Sequence, residues 1–210
     1  MRHCPSPNFG PRRDNLEPTI VVIHYTAMQS AEAALARLCD PEAEVSAHYL
    51  IARDGIVTRM VEEAERAWHA GAGEWRGLQD INSRSIGIEL DNPGDCPFPE
   101  PQMAALEALL TEICVRWRIA PEDVIGHSDM APGRKCDPGP RFDWARLARQ
   151  GLAGPTQAAA TTGDFVTQAR SAGFTADVDP DTLLSAVRLR FAPWREGPLT
   201  DADAALFHRI

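Results

Sequence analysis

"EPTIVVIHYT", residues 17–26, is the stretch whose reading decides the fold class. Every residue from Thr19 to Ile23 is β-branched, and a short unbroken apolar run of this kind reads as a buried strand. His24 follows at its C-terminal end. The next segment, "SAEAALARLCD", sets Ala31, Ala34, Leu35 and Leu38 at helical spacing behind Ser30, a suitable N-cap. A helix directly after a buried strand is an α/β pattern, and the chain repeats it. "SIGIEL" (85–90) alternates, turning Ile86, Ile88 and Leu90 to one side and Ser85, Gly87 and Glu89 to the other. In "PQMAALEALLTEICVRWRI" (101–119), Met103, Leu106, Leu110, Ile113 and Trp117 recur at steps of three and four, a helix with Pro101 in its first turn. "EDVIGH" is a further short strand, and His127 closes it as His24 closes the first.

Between these elements, two apolar runs flank Asp54-Gly55 in "SAHYLIARDGIVTRMV" and predict a β-hairpin. "RAWHAGAGEWRGLQDINSRS" (66–85) has no period and reads as a long surface loop, a length usually kept for function. "PTQAAATTG" (155–163) is small, polar and aperiodic, as a linker is. Beyond it three short helices are expected, near 164–171, 180–190 with Asp179 as cap, and 201–208. Some fifty residues make too small a core to stand alone, so this piece is expected to pack on the main domain. The expected architecture is α/β: a central mixed β-sheet flanked by helices over 1–154, a linker over 155–163, and a small all-α unit over 164–210.

The chain has 210 residues, a formal net charge of −9, 44% hydrophobic and 24% charged residues. That is the composition of a globular protein, and its acidity disfavours nucleic acid and anionic membrane as partners. No apolar run approaches the ~20 residues of a membrane span. "MRHCPSPNFGPRRDN" carries early positive charge without an apolar segment behind it, so a cytoplasmic location is expected, and a periplasmic one if a leader has been trimmed. The five cysteines are odd in number and lack C-x-x-C spacing, which predicts reduced thiols.

Chemistry concentrates in "HSDMAPGRKCDPG", residues 127–139. Two histidines and one aspartate, His24, His127 and Asp137, form a donor set that leaves a fourth tetrahedral position open on zinc. A lone histidine at a strand end is more often simply hydrogen bonded. Pro132, Gly133, Pro138 and Gly139, however, constrain the loop that carries Asp137, and a rigid loop there suggests a preorganised site.

"VVIHYT", "HYLIARDG", "RAWHAG", "SIGIEL" and "GHSDMAPGRKCDPGPRFDW" together resemble, in order and spacing, the zinc-dependent N-acetylmuramoyl-L-alanine amidases of the type 2 family, relatives of the peptidoglycan recognition proteins. The likeness spans about residues 15 to 150. It implies Zn2+ held by His24, His127 and Asp137, Glu89 as the catalytic carboxylate and Lys135 as the stabiliser of negative charge. Family branches with a Cys ligand and a Tyr before the "H-aromatic" pair differ, since Asp137 and Ala47 stand here. Tyr25, Trp68, His69, Asn82 and Arg84 are candidates for contacting a muropeptide, with Trp68, His69 and Trp75 equally suited to packing under their loop. His48 reads as structural, and Cys136, though beside a ligand, is left without a role. The C-terminal helices weakly resemble a peptidoglycan-binding three-helix domain, and a structural cap is an equal alternative. The expected activity is hydrolysis of the muramoyl–L-alanine amide, on 1,6-anhydro-muropeptides of wall recycling. The rivals are an exported enzyme acting on intact peptidoglycan and a module that binds muropeptide without cleaving it. Oligomeric state is not legible.

Overall fold

A computed structural model describes residues 1–154 and 163–208. Its strands are β1 (Arg2–His3), β2 (Phe9–Pro11), β3 (Ile20–Tyr25), β4 (Tyr49–Ile51), β5 (Val57–Arg59), β6 (Glu65–Ala67), β7 (Ser85–Leu90) and β8 (Val124–Gly126). The helices are α1 (Ala31–Leu38), α2 (Ile81–Arg84), α3 (Glu100–Trp117), α4 (His127–Met130), α5 (Trp144–Arg149), α6 (Phe165–Ser171), α7 (Pro180–Phe191) and α8 (Asp201–Ala204), the last continued as a 3-10 turn to His208. Six strands form one sheet in the order β1-β5-β4-β7-β3-β8, while β2 and β6 pair separately. The sheet is mixed: β3 runs parallel to both β7 and β8, and β4 is parallel to β7 but antiparallel to β5. The expected hairpin joins β4 to β5, with Gly55 at φ +87°.

Alternation along β3 assigns its two faces. Val21 and Ile23 join Ile86, Ile88 and Leu90 of β7 under Met103, Leu106, Leu110 and Ile113 of α3. All of these are at most 2% exposed, and each such aliphatic side chain contributes roughly 1.5–3 kcal/mol by leaving water. Ile20 and Val22 face the other way, into a cluster with Ile125 and with Phe165, Ala169, Phe174, Leu183, Leu184 and Val187 of the C-terminal segment. That segment therefore has no separate core of its own; its apolar faces cover β3 and β8 on the side away from α3, while α1 covers Leu50 of β4. The expected linker at 155–163 lies, apart from Gly163, outside the described residues.

The helices stop and start where the sequence suggests. Ser30 Oγ accepts from Ala33 N–H at 3.2 Å, and Asp179 Oδ1 accepts from the N–H groups of Asp181 and Thr182 at 3.1 and 2.9 Å. α3 ends at Arg118, whose φ of 56° breaks the helix. Among the described residues no helix is long and apolar enough to cross a membrane.

Some expectations need correcting. β3 runs on through Tyr25, so His24 lies inside the strand, held by the ladder to β7. His127 opens α4 instead of ending β8, because Asp129 turns back and accepts from Gly126 N–H at 2.8 Å. The stretch 66–85 is not a bare loop: it begins in β6, which pairs with β2, and ends in α2. The strands β1 and β2 and the helix α5 are too short to announce themselves by periodicity.

Candidate metal centre and active-site cleft

The parallel register of β3 and β7 sets His24 directly beside Glu89. Both belong to the rows that turn away from α3, His24 with Ile20 and Val22, Glu89 with Ser85 and Gly87. β8 lies on the other side of β3, with Gly126 opposite Ile23, so His127 emerges next to His24. The loop then returns, and Ser128 N–H donates to the Asp137 carbonyl at 3.0 Å. Three distant segments thus meet at the C-terminal end of parallel strands, where open α/β sheets usually hold their ligands.

The donor atoms converge closely. His24 Nδ1 is 2.9 Å from His127 Nδ1 and 2.8 Å from Asp137 Oδ2, and His127 Nδ1 is 3.1 Å from the same oxygen. The far sides of the rings decide the tautomers. His127 Nε2 faces the Ala70 carbonyl at 2.8 Å, which can only accept, so the ring proton is on Nε2. His24 Nε2 stands 3.0 Å from His69 Nδ1, His69 Nε2 stands 3.1 Å from Ser85 Oγ, and the Ser85 hydroxyl donates to the Ile81 carbonyl at 2.6 Å. With the serine proton committed to Ile81, Ser85 Oγ accepts from His69 Nε2–H. His69 Nδ1 then accepts from His24 Nε2–H, which leaves His24 Nδ1 with a lone pair. Burial also pushes the His24 imidazole down to about 4 and the His69 imidazole well below its usual value, which keeps both rings neutral.

Two imidazole nitrogens and a carboxylate oxygen therefore converge on one point, an arrangement that could hold a metal ion. Zinc bonds of about 2.0–2.2 Å put tetrahedral ligands about 3.3 Å apart, so an expansion of a few tenths of an ångström admits the ion. The residues present fit a zinc site.

The cleft around this point encloses about 380 Å³. Glu89 lies on its wall, and its Oε2 is buried without a hydrogen-bond partner among the described residues. Burial, then the Asp137 charge, pushes the Glu89 carboxyl up to about 8, with the Lys135 ammonium drawing it back. Lys135 itself is exposed at the rim. Arg134 beside it donates to the carbonyls of Ala70 and Ala72, tying the metal loop to residues 70–72.

Of the sequence-predicted contact residues, Tyr25 and Trp68 line the cleft, and the Tyr25 hydroxyl lies 3.1 Å from Cys136 Sγ. His69 borders the cleft, but its ring nitrogens are both engaged behind His24. Asn82 and Arg84 stand outside it. The Asn82 side-chain oxygen accepts from the N–H groups of His69 and Ala70, and Arg84 Nε donates to the Gln79 carbonyl, because both sit on α2 beneath the loop. Trp75 is core, 1% exposed and 5.2 Å from Phe174. His48 is fully buried, its Nδ1 accepting from Gly87 N–H at 2.9 Å, as a structural histidine does. Sequence reasoning missed Ser85 and Gly87, although their shared face with Glu89 was a signal. A Cβ at Gly87 would come within 2.4 Å of His69 Cγ, so glycine alone lets that ring lie against β7.

Comparison with known proteins follows the same line. The profile of the family described as N-acetylmuramoyl-L-alanine amidase matches residues 14–140. N-acetylmuramoyl-L-alanine amidase AmiD of Escherichia coli is 42% identical over 149 residues, 63% of this chain and 53% of AmiD, so the match spans about half of that relative's length. The 1,6-anhydro-N-acetylmuramyl-L-alanine amidase AmpD of Enterobacter cloacae is 36% identical over 163 residues, 70% of this chain and 87% of AmpD. Escherichia coli AmiD in complex with the substrate anhydro-N-acetylmuramic acid-L-Ala-D-gamma-Glu-L-Lys superposes with a TM-score of 0.78 at 33% identity, over 94% of this chain and 88% of that one. AmpDh3 of Pseudomonas aeruginosa gives 0.80 at 29% identity, over 97% and 92%. With the matched profile covering every proposed ligand and Glu89, the chain belongs to the N-acetylmuramoyl-L-alanine amidase family.

Proposed function

We propose that this chain is a zinc-dependent amidase that cleaves the bond between the lactyl carbonyl of N-acetylmuramic acid and L-alanine in soluble 1,6-anhydro-muropeptides, as a step of cell-wall recycling in the cytoplasm. The observation that carries the reading is the convergence of His24 Nδ1, His127 Nδ1 and Asp137 Oδ2 at the end of a cleft that also holds Glu89. Its similarity to AmpD over most of that enzyme's length supports the choice of substrate, as does AmiD's complex with an anhydro-muropeptide.

A zinc ion held by those three atoms would supply Lewis acidity, polarising the amide carbonyl and acidifying a water. Glu89 accepts the proton of the attacking water and returns it to the departing amine of L-alanine. A carboxyl whose affinity for protons has been raised by burial is suited to both halves of that transfer near neutral pH. Lys135, two residues before Asp137, presents its ammonium to the carbonyl oxygen as negative charge develops. Tyr25 and Trp68 offer aromatic faces to the sugar and the first residues of the peptide.

Purified protein is assayed for metal content and for release of L-alanine-terminated peptide from anhydro-muropeptide and from intact sacculi. The expected result is about one zinc per chain, activity lost on chelation and restored by zinc, and preference for the soluble fragment. Preference for sacculi overturns the substrate assignment, and activity indifferent to chelation overturns the mechanism. Cell fractionation with the native chain tests the compartment.

A further inference from the structure

Two thiols outside the cleft stand close together. Cys4 Sγ, in the N-terminal arm, is 3.7 Å from Cys39 Sγ, just past the end of α1, and Cys39 Sγ is 3.6 Å from the Cys4 carbonyl oxygen. Both are half-buried, within reach of a small oxidant.

The backbones on either side are already fixed. Cys4 N–H donates to the Arg59 carbonyl at 3.0 Å and Ser6 N–H to that of Met60 at 2.9 Å, which pins the arm along β5. Ser6 Oγ donates to the Leu38 carbonyl at 2.6 Å and Asn8 Nδ2 to that of Asp40 at 2.8 Å, which pins the same arm to the end of α1. Cys39 N–H closes the helix on the Leu35 carbonyl at 2.9 Å. The pair is thus held in register by bonds before and after it. Bringing the sulfurs from 3.7 Å to the ~2.05 Å of a disulfide asks for a closure of less than about 2 Å.

We propose that Cys4 and Cys39 form a redox pair that closes to an intramolecular disulfide, locking the N-terminal arm to the helix whose Ala34, Arg37 and Leu38 wall the cleft. The oxidant is a low-molecular-weight disulfide of the glutathione class. One cysteine, deprotonated, attacks it, forming a mixed disulfide and expelling one glutathione thiolate. The second cysteine loses its proton and attacks the protein sulfur of that mixed disulfide, forming the Cys4–Cys39 bond and expelling the second glutathione. Two electrons pass from the cysteine pair to the glutathione disulfide, and the two thiol protons end on the glutathiones. In a reducing compartment the pair stays open, in keeping with the thiol state expected from cysteine spacing.

The test uses the full chain, held with glutathione disulfide at mildly alkaline pH, then denatured, alkylated and weighed. The thiols that take the label should fall from five to three, the chain weighed before labelling should be lighter by two hydrogens, and peptide mapping should recover Cys4 joined to Cys39. Tm should rise by several degrees and return with dithiothreitol, and C4S and C39S should each abolish both changes. Five thiols retained, stable glutathione adducts without a bridge, or a bridge between other cysteines overturns the proposal.

Discussion

Replacing Arg190 by methionine removes the one positive charge, among the described residues, that pairs with Asp129, and its cost follows from how deeply the pair is buried. Arg190 Nη1 donates to Asp129 Oδ2 at 2.6 Å, while Nη2 donates to the carbonyls of Val124 and Gly154 at 3.1 and 2.9 Å. The guanidinium lies 4.1 Å from the centre of the Trp144 ring. Asp129 is 0% and Arg190 5% exposed. An ion stripped of its buried partner typically costs about 3–5 kcal/mol. R190M is therefore expected to lose about 4 kcal/mol at pH 8. Burial already pushes the Asp129 carboxyl above its usual range, with Arg190 and Gly126 N–H drawing it back. Without Arg190 it rises further, so the folded variant holds a proton that the unfolded chain releases. A carboxyl raised in this way supports the fold below its unfolded pKa and loses that support as pH rises through the folded one. The deficit of R190M should be smaller at pH 5 than at pH 8. Urea titrations at both pH values measure it, with the slope against denaturant unchanged. Because α4 begins at His127, zinc affinity measured by chelator competition should weaken as well. A loss under 1 kcal/mol at pH 8, or one that does not grow with pH, refutes the reasoning.

Glu89→Gln should retain zinc while turnover falls by about 10²–10⁴. In zinc-free protein the wild type should lose Tm relative to this variant as pH climbs from 5 to 9, because its raised carboxyl must ionise in place. His69→Ala and Ser85→Ala should each weaken zinc binding by about 10–100-fold in a competition assay, since either breaks the chain that keeps the proton on His24 Nε2. Unchanged affinity in both would dismiss that chain. Gly87→Ala should weaken it by a similar route, pushing the His69 ring off β7. Lys135→Met should lower kcat by about 10²–10³ with little change in zinc content.

What could be read in advance divides by the range of the interaction. Glu89 was legible because strand alternation is local: once "SIGIEL" is a strand, its polar residue must leave the apolar layer, whereas His24, read as lying past its strand, sits inside it. The long amphipathic helix was legible for the same reason, and so were the caps at Ser30 and Asp179. Trp75, Asn82 and Arg84 were not, because their surroundings come from elsewhere in the chain. Trp75 meets Phe174 some hundred residues on, in a cluster that exists only once the C-terminal helices have docked on the sheet.

Those helices also bear on how the metal ligands are held. One face of the sheet is closed by α3, and the other is divided: the C-terminal helices take Ile20, Val22 and Ile125, leaving the row's last members, His24 and Glu89, to the cleft. A strand buried on both faces thus ends in a polar step at the point where its cover stops. Arg190 reaches from α7 through the floor of that cover to Asp129, two residues after His127, so the segment that seals the sheet also fixes the turn on which a ligand stands. A glycan-binding role is not needed to explain why the chain carries this unit. Cutting it away would bare an apolar face and free the carboxylate under α4 in one stroke, and metal affinity should fall together with stability.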